Sequence, residues 1–215
     1  MKPRVHETEP AGTDDTPAPI SRIGPNAITR LGEAVEARLG RSAGRELFLR
    51  AGLVRYLMNP PSDMVDEREV IALHAALRAS YPPEIARELS WQAGLLTGDY
   101  LLANRIPRLA QVVLKILPRS WASRVLTRAI ARHAWTFVGS GTFRVVSAMP
   151  LRLEIAGSPL CRDGLSATPL CDYYAGTFTR VFERLVDRRW RIIETQCGAQ
   201  GSGTCVFEVE QRYGS

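Results

Sequence analysis

Three cysteines and one glutamate in the C-terminal part of the chain have the side chains that could bind a metal ion. They follow one another as Cys171, Glu194, Cys197 and Cys205. Zinc prefers thiolate ligands, accepts a carboxylate, and is structural when protein atoms fill all four tetrahedral positions. The same spacing is compatible with free core cysteines or a disulfide, because C-x7-C matches no common zinc finger. Cys161, outside this set, is interpreted as a spare thiol.

A helix followed by an antiparallel hairpin would position these residues. Residues 171–186 carry apolar side chains three and four positions apart, which predicts a helix with one buried stripe. Residues 190–195 and 204–209 are rich in β-branched and aromatic residues and are predicted strands. The connection 197–205 contains three glycines, a composition that permits the positive φ values a short loop needs. The hairpin should therefore bring its two cysteines together near the start of the helix.

This segment resembles the vinyl-4-reductase domain family, in which a helix cysteine precedes an E-x-x-C-x7-C signature. The matching residues are Cys171, Gly176, Glu194, Cys197, Gly201 and Cys205. The resemblance implies that the three thiolates and the carboxylate bind a structural zinc ion, and that the domain binds a small molecule. Outside these motifs the likeness is looser, and it is greatest to family members from bacteriochlorophyll biosynthesis.

The chain is predicted to be a single ligand-binding domain, residues 21–215, preceded by a disordered tail, residues 1–20. The tail contains four prolines and almost no large apolar residues, so it cannot offset the entropy of folding. The following hundred or so residues have helical periodicity interrupted by prolines and glycines. One of the expected helices begins at Ser42 and continues to about Met58.

Strands are expected beyond the helical region, at 136–138, 142–146 and 151–156. The order is therefore helices, a strand group, one helix and a final hairpin. The predicted fold class is α+β, with a helical N-terminal half packed on a small antiparallel sheet and a zinc-stabilised C-terminal helix-hairpin.

Positive charge is concentrated in the middle of a chain whose net charge is +6. Residues 100–135 contain no Asp or Glu, and Arg124, Arg128 and Arg132 recur every four residues on one side of a predicted helix. We call these three residues the arginine ridge. It is predicted to bind an acidic protein, a membrane surface or pigment carboxylates, and the alternative is an ordinary solvated helix face.

The sequence contains no apolar run long enough to span a membrane and no secretory signal, so a cytoplasmic protein is expected. Peripheral contact with a membrane remains one reading of the arginine ridge. No nucleic-acid partner is expected, and a second copy of the chain is considered as a partner.

Aromatic side chains are the candidates for contact with a ligand, because the resemblance implies an apolar cavity between the helices and the sheet. The candidate ligand-binding residues are Trp91, His133, Trp135, Phe137, Tyr173, Tyr174 and Phe178. The alternative is that the rings are core residues, since aromatic side chains supply large buried area in any fold. His133 could contact a chelated magnesium ion or a bound ring, or could simply stabilise a helix end.

The predicted function is to bind a tetrapyrrole intermediate of bacteriochlorophyll synthesis and present it to an enzyme, without redox chemistry. The pigment, a magnesium porphyrin or chlorophyllide, is implied by the resemblance. A reductase needs a hydride source, and the glycines of 198–203 lie between predicted strands, whereas phosphate-binding loops precede a helix. Four cysteines are also too few for zinc and an iron–sulfur cluster. The alternatives are an 8-vinyl reductase, or a subunit of one, and a sensor of small aromatic effectors.

Overall fold

The computed structural model describes residues 21–162 and 164–211, so the predicted tail, residues 1–20, lies outside the described part. Eight α-helices are described: α1 Asn26–Leu39, α2 Arg41–Arg50, α3 Arg55–Met58, α4 Glu67–Ser80, α5 Pro83–Asn104, α6 Arg108–Ile116, α7 Arg119–Arg132 and α8 Asp172–Leu185. The strands are β1 Arg22–Ile23, β2 Val65–Asp66, β3 Thr142–Ala148, β4 Leu151–Ala156, β5 Trp190–Gln196 and β6 Thr204–Gln211. The predicted α+β class, with a small antiparallel sheet, is confirmed.

Local sequence explains most helix boundaries. Gly40 ends α1 with φ of 90°, and the Asp66 side chain accepts a hydrogen bond from Arg68 N, 2.9 Å, at the start of α4. The expectation of one continuous helix from Ser42 to Met58 is wrong, because this segment forms two helices, α2 and α3. The break lies at Gly52, whose φ of 71° is incompatible with a continuous right-handed helix.

The main sheet has the order β3-β4-β6-β5, with every neighbouring pair antiparallel. The predicted hairpin of β5 and β6 is therefore confirmed. The expected strand at 136–138 is wrong: residues Ala134–Thr136 form a 3-10 turn, and β3 pairs with β4 instead. The remaining pair, β1 and β2, forms a separate two-stranded ribbon among the helices.

The two faces of the sheet differ in polarity because side chains alternate along each strand. Leu153 of β4 is paired with Phe207 of β6, and both are buried. On the other face, Arg152 Nη1 donates to Glu208 Oε1, 2.9 Å, and Arg144 Nη2 donates to Glu154 Oε2, 2.6 Å. The apolar face packs against α8. On its other side α8 packs against α5, so the buried residues of the sheet and of the N-terminal helices form one core.

Helix α8 is buried along nearly its whole length and packs on α5 at backbone contact distance. A Cβ atom added at Gly94 of α5 would lie 2.2 Å from Tyr173 O, and one added at Gly176 of α8 would lie 2.4 Å from Trp91 O. No side chain can be fitted at either position without separating the helices. The pair of glycines therefore sets the distance between the helical half and the sheet half of the molecule.

Replacing Gly176 by alanine should destabilise the protein, although the same change inside a helix ordinarily stabilises it by up to about 1 kcal/mol. The added methyl group must push α5 away, and overpacking of this kind costs roughly 1–3 kcal/mol or more. Urea unfolding of Gly176→Ala and Gly94→Ala would measure the loss. Gly164→Ala is the matched control, because its Cβ would meet Leu170 Cδ1 at an ordinary 3.5 Å. Stability equal to the unmodified protein in both helix variants would show that the helices are not in backbone contact.

Candidate metal centre

Four buried thiols converge at the junction of α8 with the sheet. Cys161 lies in the turn after β4, Cys171 immediately precedes α8, Cys197 follows β5 and Cys205 lies in β6. All four side chains are buried, and none takes part in a disulfide. Their Sγ atoms all lie within 4.8 Å of one another. The structure thus brings together the three predicted cysteines and adds a fourth.

The sulfur separations fit a tetrahedral metal ion. Cys205 Sγ is 3.4 Å from Cys161 Sγ, 3.5 Å from Cys171 Sγ and 3.9 Å from Cys197 Sγ. Four sulfur atoms placed about 2.3 Å from a central zinc ion would be about 3.8 Å apart. A disulfide needs about 2.05 Å between its sulfur atoms. The donor set therefore suits a soft divalent cation, and all of its positions would be filled by protein atoms.

Hydrogen bonds to sulfur favour the thiolate form within the cluster. Gly198 N donates to Cys205 Sγ at 3.3 Å, and the Ser158 hydroxyl lies 3.5 Å from Cys171 Sγ. Burial, and after it the neighbouring thiols and the charge of Glu194, raise the pKa of the Cys171 thiol. A bound cation is the interaction that most strongly favours deprotonation of buried thiols.

The half-buried Arg78 of α4 interacts electrostatically with the thiol cluster. Burial lowers the pKa of its guanidinium, whereas negative charge on Cys171, Cys161 and Cys197 raises it. Four thiolates around a divalent cation carry a net charge of −2, so a neighbouring guanidinium reduces the cost of burying that charge. Arg78 also lines a cavity of about 140 Å³ beside the cluster.

The loop between Cys197 and Cys205 is held by side-chain hydrogen bonds and by glycine conformations. Gln200 Oε1 accepts from Cys197 N, 3.0 Å, and the Ser202 hydroxyl donates to Cys197 O, 2.9 Å. Gly201 and Gly203 have φ of 91° and 70°, which other residues rarely adopt. The loop geometry expected from its glycine content is therefore present.

An ion pair positions the turn that carries Cys161. Arg162 Nη1 donates to the largely buried Glu67 at 3.1 Å, and its Nη2 donates to Gly157 O at 2.7 Å. Glu67 also accepts from Ser140 N and Ser140 Oγ, at 2.8 and 2.7 Å. Burial raises the pKa of Glu67, but these hydrogen bonds outweigh it and the pKa is lowered. The charged carboxylate thus links α4, the turn before β3 and the Cys161 turn.

Glu194, the predicted fourth ligand, lies beside the four-sulfur cluster. Its Oε2 accepts a hydrogen bond from Cys171 N at 2.7 Å, and this bond holds the residue that immediately precedes α8. Burial raises the pKa of Glu194 to about 8, and Oε1 has no hydrogen-bond partner within the described residues. The four groups that converge are therefore the four thiols. The Glu194 carboxylate lies at the edge of the cluster and accepts a hydrogen bond from the backbone of Cys171.

The interpretation of Cys161 as a spare thiol is wrong, because its Sγ atom is a member of the cluster. Residues 157–170 have no periodic pattern and no signature spacing, so nothing local predicts where their side chains point. One signal was available in the composition. The chain has only four cysteines, all between 161 and 205, and four thiolates are a common set for structural zinc.

Comparison with known proteins identifies the relatives of this chain. A family model described as the V4R domain matches residues 151–211, the span that carries all four cysteines and Glu194. The chain is 48% identical over 193 residues to the bacteriochlorophyll synthase 23 kDa chain of Cereibacter sphaeroides, covering 90% of this chain and 92% of that protein. The chain belongs to the family of that 23 kDa protein. The Rhodobacter capsulatus member is 41% identical over 203 residues, covering 94% and 92% of the two chains.

The predicted membership of the vinyl-4-reductase domain family is confirmed by these matches. Two solved structures are more distant neighbours of this family member. An H-NOX protein from S. oneidensis, in the Fe(II)NO ligation state, is 16% identical with a TM-score of 0.47, covering 88% of this chain and 99% of that one. A vinyl-4-reductase family protein from Methanocaldococcus jannaschii is 16% identical with a TM-score of 0.35, covering 65% and 88%.

Three of the seven candidate ligand-binding residues of this family member meet in one aromatic cluster between α8 and the sheet. Phe137 lies with its ring centroid 6.1 Å from that of Tyr174 and 6.2 Å from that of Phe178. Phe143 and Phe207 complete the cluster. The Tyr174 hydroxyl donates to Phe137 O at 2.7 Å, so the one polar atom of the cluster is satisfied.

Tyr173 lies at the margin of this cluster, and the other three candidates lie outside it. The Tyr173 ring is 5.7 Å from the Tyr174 ring, and its hydroxyl is 2.9 Å from Thr97 Oγ1. The Trp91 ring lies under the guanidinium of Arg191. His133 and Trp135 are exposed at the end of α7, next in sequence to the aromatic cluster. None of the seven lines the cavity beside Arg78 or the open concavity over the cysteine loop.

The arginine ridge lies on the exposed side of α7. Arg124, Arg128 and Arg132 are exposed, and Leu126 on the opposite side is buried. No helix among the described residues is long and apolar enough to cross a membrane. The ridge is therefore accessible to a partner, and its role remains a prediction.

The burial of all four thiols predicts a clear pattern of reactivity. In the native, metal-free protein, a thiol reagent such as dithionitrobenzoate should react slowly with every cysteine, because none is exposed. After denaturation without reductant, four thiols per chain should react, the number of cysteines in the sequence. Two or fewer would mean that the cluster holds a disulfide, which would contradict the structure.

Proposed function

We propose that this chain is a zinc-stabilised tetrapyrrole-binding protein that assists bacteriochlorophyll biosynthesis and performs no redox chemistry of its own. The observation that carries the proposal is the cluster of four buried thiols within a V4R domain, in a chain related over nine-tenths of its length to a bacteriochlorophyll synthase 23 kDa chain. The relatives are named as chains of a synthase, which supports a partner enzyme in the same biosynthesis. The bound pigment would be a magnesium porphyrin or a chlorophyllide.

The metal would be held by Cys161, Cys171, Cys197 and Cys205, and its chemistry there would be structural, since four protein ligands leave no open position. The four residues come from the turn after β4, the start of α8 and both sides of the β5–β6 loop. They would tie these segments together. Glu194 would position Cys171 by accepting its backbone N–H.

Two observations support binding without reduction: the use of the cysteines and the position of the glycine-rich loop. All four cysteines of the sequence belong to one site, so a separate iron–sulfur cluster would have no thiolate ligands. The glycines of 198–203 connect two antiparallel strands, whereas dinucleotide loops connect a strand to the N-terminus of a helix. Both observations favour a binding protein over an 8-vinyl reductase acting alone.

The exposed edge of the aromatic cluster is where we place the pigment. Trp135 is 62% exposed, unusual for so large an aromatic side chain, and is two residues from Phe137, a member of the cluster. The exposed His133 lies on the preceding turn and could contact a chelated magnesium ion. A planar macrocycle stacked on the Trp135 ring would cover its apolar face and extend the cluster outward.

The metal proposal predicts about one zinc per chain by elemental analysis. Cys161→Ser and Cys205→Ser should each lose the metal and lower Tm, by roughly 10 °C or more if about 5 kcal/mol is lost. Glu194→Gln should retain the metal, because its amide oxygen can still accept from Cys171 N. Retention by Cys161→Ser together with loss by Glu194→Gln would instead establish three thiolates and a carboxylate as ligands. Iron in place of zinc, or no stoichiometric metal, would contradict a structural zinc site.

The pigment proposal predicts a shifted and sharpened Soret band when the protein is titrated with a magnesium porphyrin. Trp135→Ala should weaken binding about tenfold, the equivalent of about 1.4 kcal/mol of lost stacking. Trp121→Ala is the matched control, since Trp121 is 60% exposed on the far end of α7. Equal weakening by both variants would indicate nonspecific adsorption.

Incubation with a divinyl pigment and reduced nicotinamide should leave the pigment mass unchanged. A gain of two hydrogen atoms that depends on this protein alone would restore the reductase alternative. Saturable binding of small aromatic effectors in preference to the porphyrin would favour the sensor alternative.

A further inference from the structure

Helix α6 exposes an apolar face that no described residue covers. Leu109, Val112, Val113 and Ile116 are 82%, 57%, 50% and 76% exposed. Their spacing, i, i+3, i+4 and i+7, places them on one side of the helix. Only Leu114 of this helix is buried. A stripe with this periodicity normally faces a core, so its exposure indicates that it contacts something outside the chain.

Helix α7, which contacts α6, also exposes apolar side chains and adds charge. Trp121 and Val125 are exposed, and they are one helical turn apart. Arg124, Arg128 and Arg132 fall within the same third of the helix circumference as these two residues. The arginine ridge and the exposed apolar side chains of α7 therefore share one face.

The charge of this region has a single sign. Between residues 100 and 135 there are seven basic and no acidic residues: Arg105, Arg108, Lys115, Arg119, Arg124, Arg128 and Arg132. All seven are exposed. Arg119 pairs with Asp187, and the other six form no ion pair with any residue in 21–162 or 164–211.

We propose that α6 and α7 form a docking surface for an anionic lipid bilayer. Large aliphatic side chains and a tryptophan on the apolar side, with Lys and Arg beside them, are the composition of helices that lie in the membrane interface. The aliphatic side chains of α6 and Trp121 enter the interface, and the basic residues contact lipid phosphates. No described helix is long and apolar enough to cross the bilayer, so the contact is peripheral.

Charge complementarity selects this occupant over a second copy of the chain. A symmetric dimer through the same surface would place the unpaired cations of both subunits against one another, without an acidic residue between 100 and 135 to compensate. An anionic bilayer supplies the opposite charge and the apolar layer together. Neither the pigment nor the metal enters this argument, so the docking surface can be tested separately from the proposed function.

Vesicle flotation of the full chain, without added pigment, tests the proposal. The protein should float with vesicles of mixed phosphatidylcholine and phosphatidylglycerol, and not with vesicles of phosphatidylcholine alone. Added salt should weaken the binding, because the phosphate contacts are screened. The Trp121 ring should enter the interface, so a blue shift of fluorescence on vesicle addition should disappear in Trp121→Phe.

Two sets of variants separate the apolar and the charged contributions. Val112→Ser with Ile116→Ser should weaken vesicle binding about tenfold without changing the charge. Leu49→Ser with Met58→Ser is the matched control, since these exposed side chains lie on α2 and α3 and should leave binding unchanged. Replacing all three residues of the arginine ridge by Gln should weaken binding and flatten its salt dependence.

The proposal is overturned if the unmodified chain does not bind the mixed vesicles, or if the α6 variant binds them as tightly as the unmodified chain. A dimer in solution that the α6 variant dissociates, combined with absence of vesicle binding, would assign the surface to contact between copies.

Discussion

The contact between the backbones of α5 and α8 is the constraint on which the rest of the structure depends. With glycines at 94 and 176, the two helices approach until added Cβ atoms would overlap carbonyl oxygens of the other helix. Helix α8 is then fixed against the helical half on one side and the sheet on the other. The start of α8 delivers Cys171 to the thiol cluster, and the next turns deliver Tyr174 and Phe178 to the aromatic cluster. Both clusters therefore depend on the placement of one helix.

Electrostatic organisation divides the molecule into distinct surfaces. The polar face of the sheet is neutralised by cross-strand pairs such as Arg152 with Glu208. Beside the thiol cluster, negative charge on the cysteines would raise the pKa of the Arg78 guanidinium, while Glu67 and Arg162 fix the Cys161 turn. The region of α6 and α7 is the exception, because its cations have no acidic neighbours in sequence. Net charge alone would not distinguish these surfaces, since most of the cations outside α6 and α7 are paired.

Prediction from sequence succeeded where local periodicity determines the structure. The β-branched and aromatic content of β5 and β6 and the buried stripe of α8 are properties of short segments, so the hairpin and helix were predictable. Cys161 was missed because a non-periodic turn is positioned by distant residues, here Glu67 through Arg162. The break at Gly52 and the 3-10 turn at Ala134–Thr136 depend on single backbone conformations that periodicity does not reveal. Tyr173 and Tyr174 are adjacent in sequence, yet their hydroxyls bond to different elements, to Thr97 of α5 and to Phe137. Amino-acid composition does not predict which partner each aromatic residue has.

The distribution of the four thiols along the chain has a consequence for the order of folding. In a compact zinc knuckle the ligands are neighbours, so the metal can bind an otherwise unfolded chain. Here all of α8 and β5 lie between Cys171 and Cys197, and the sulfur atoms converge where that helix packs on the sheet. Closing such loops in a disordered chain is entropically unfavourable, so the unfolded chain would be a poor chelator. Occupancy of the cluster would then report that tertiary structure is complete, and a chain with a misplaced α8 would be distinguished from a correctly folded one by its metal content.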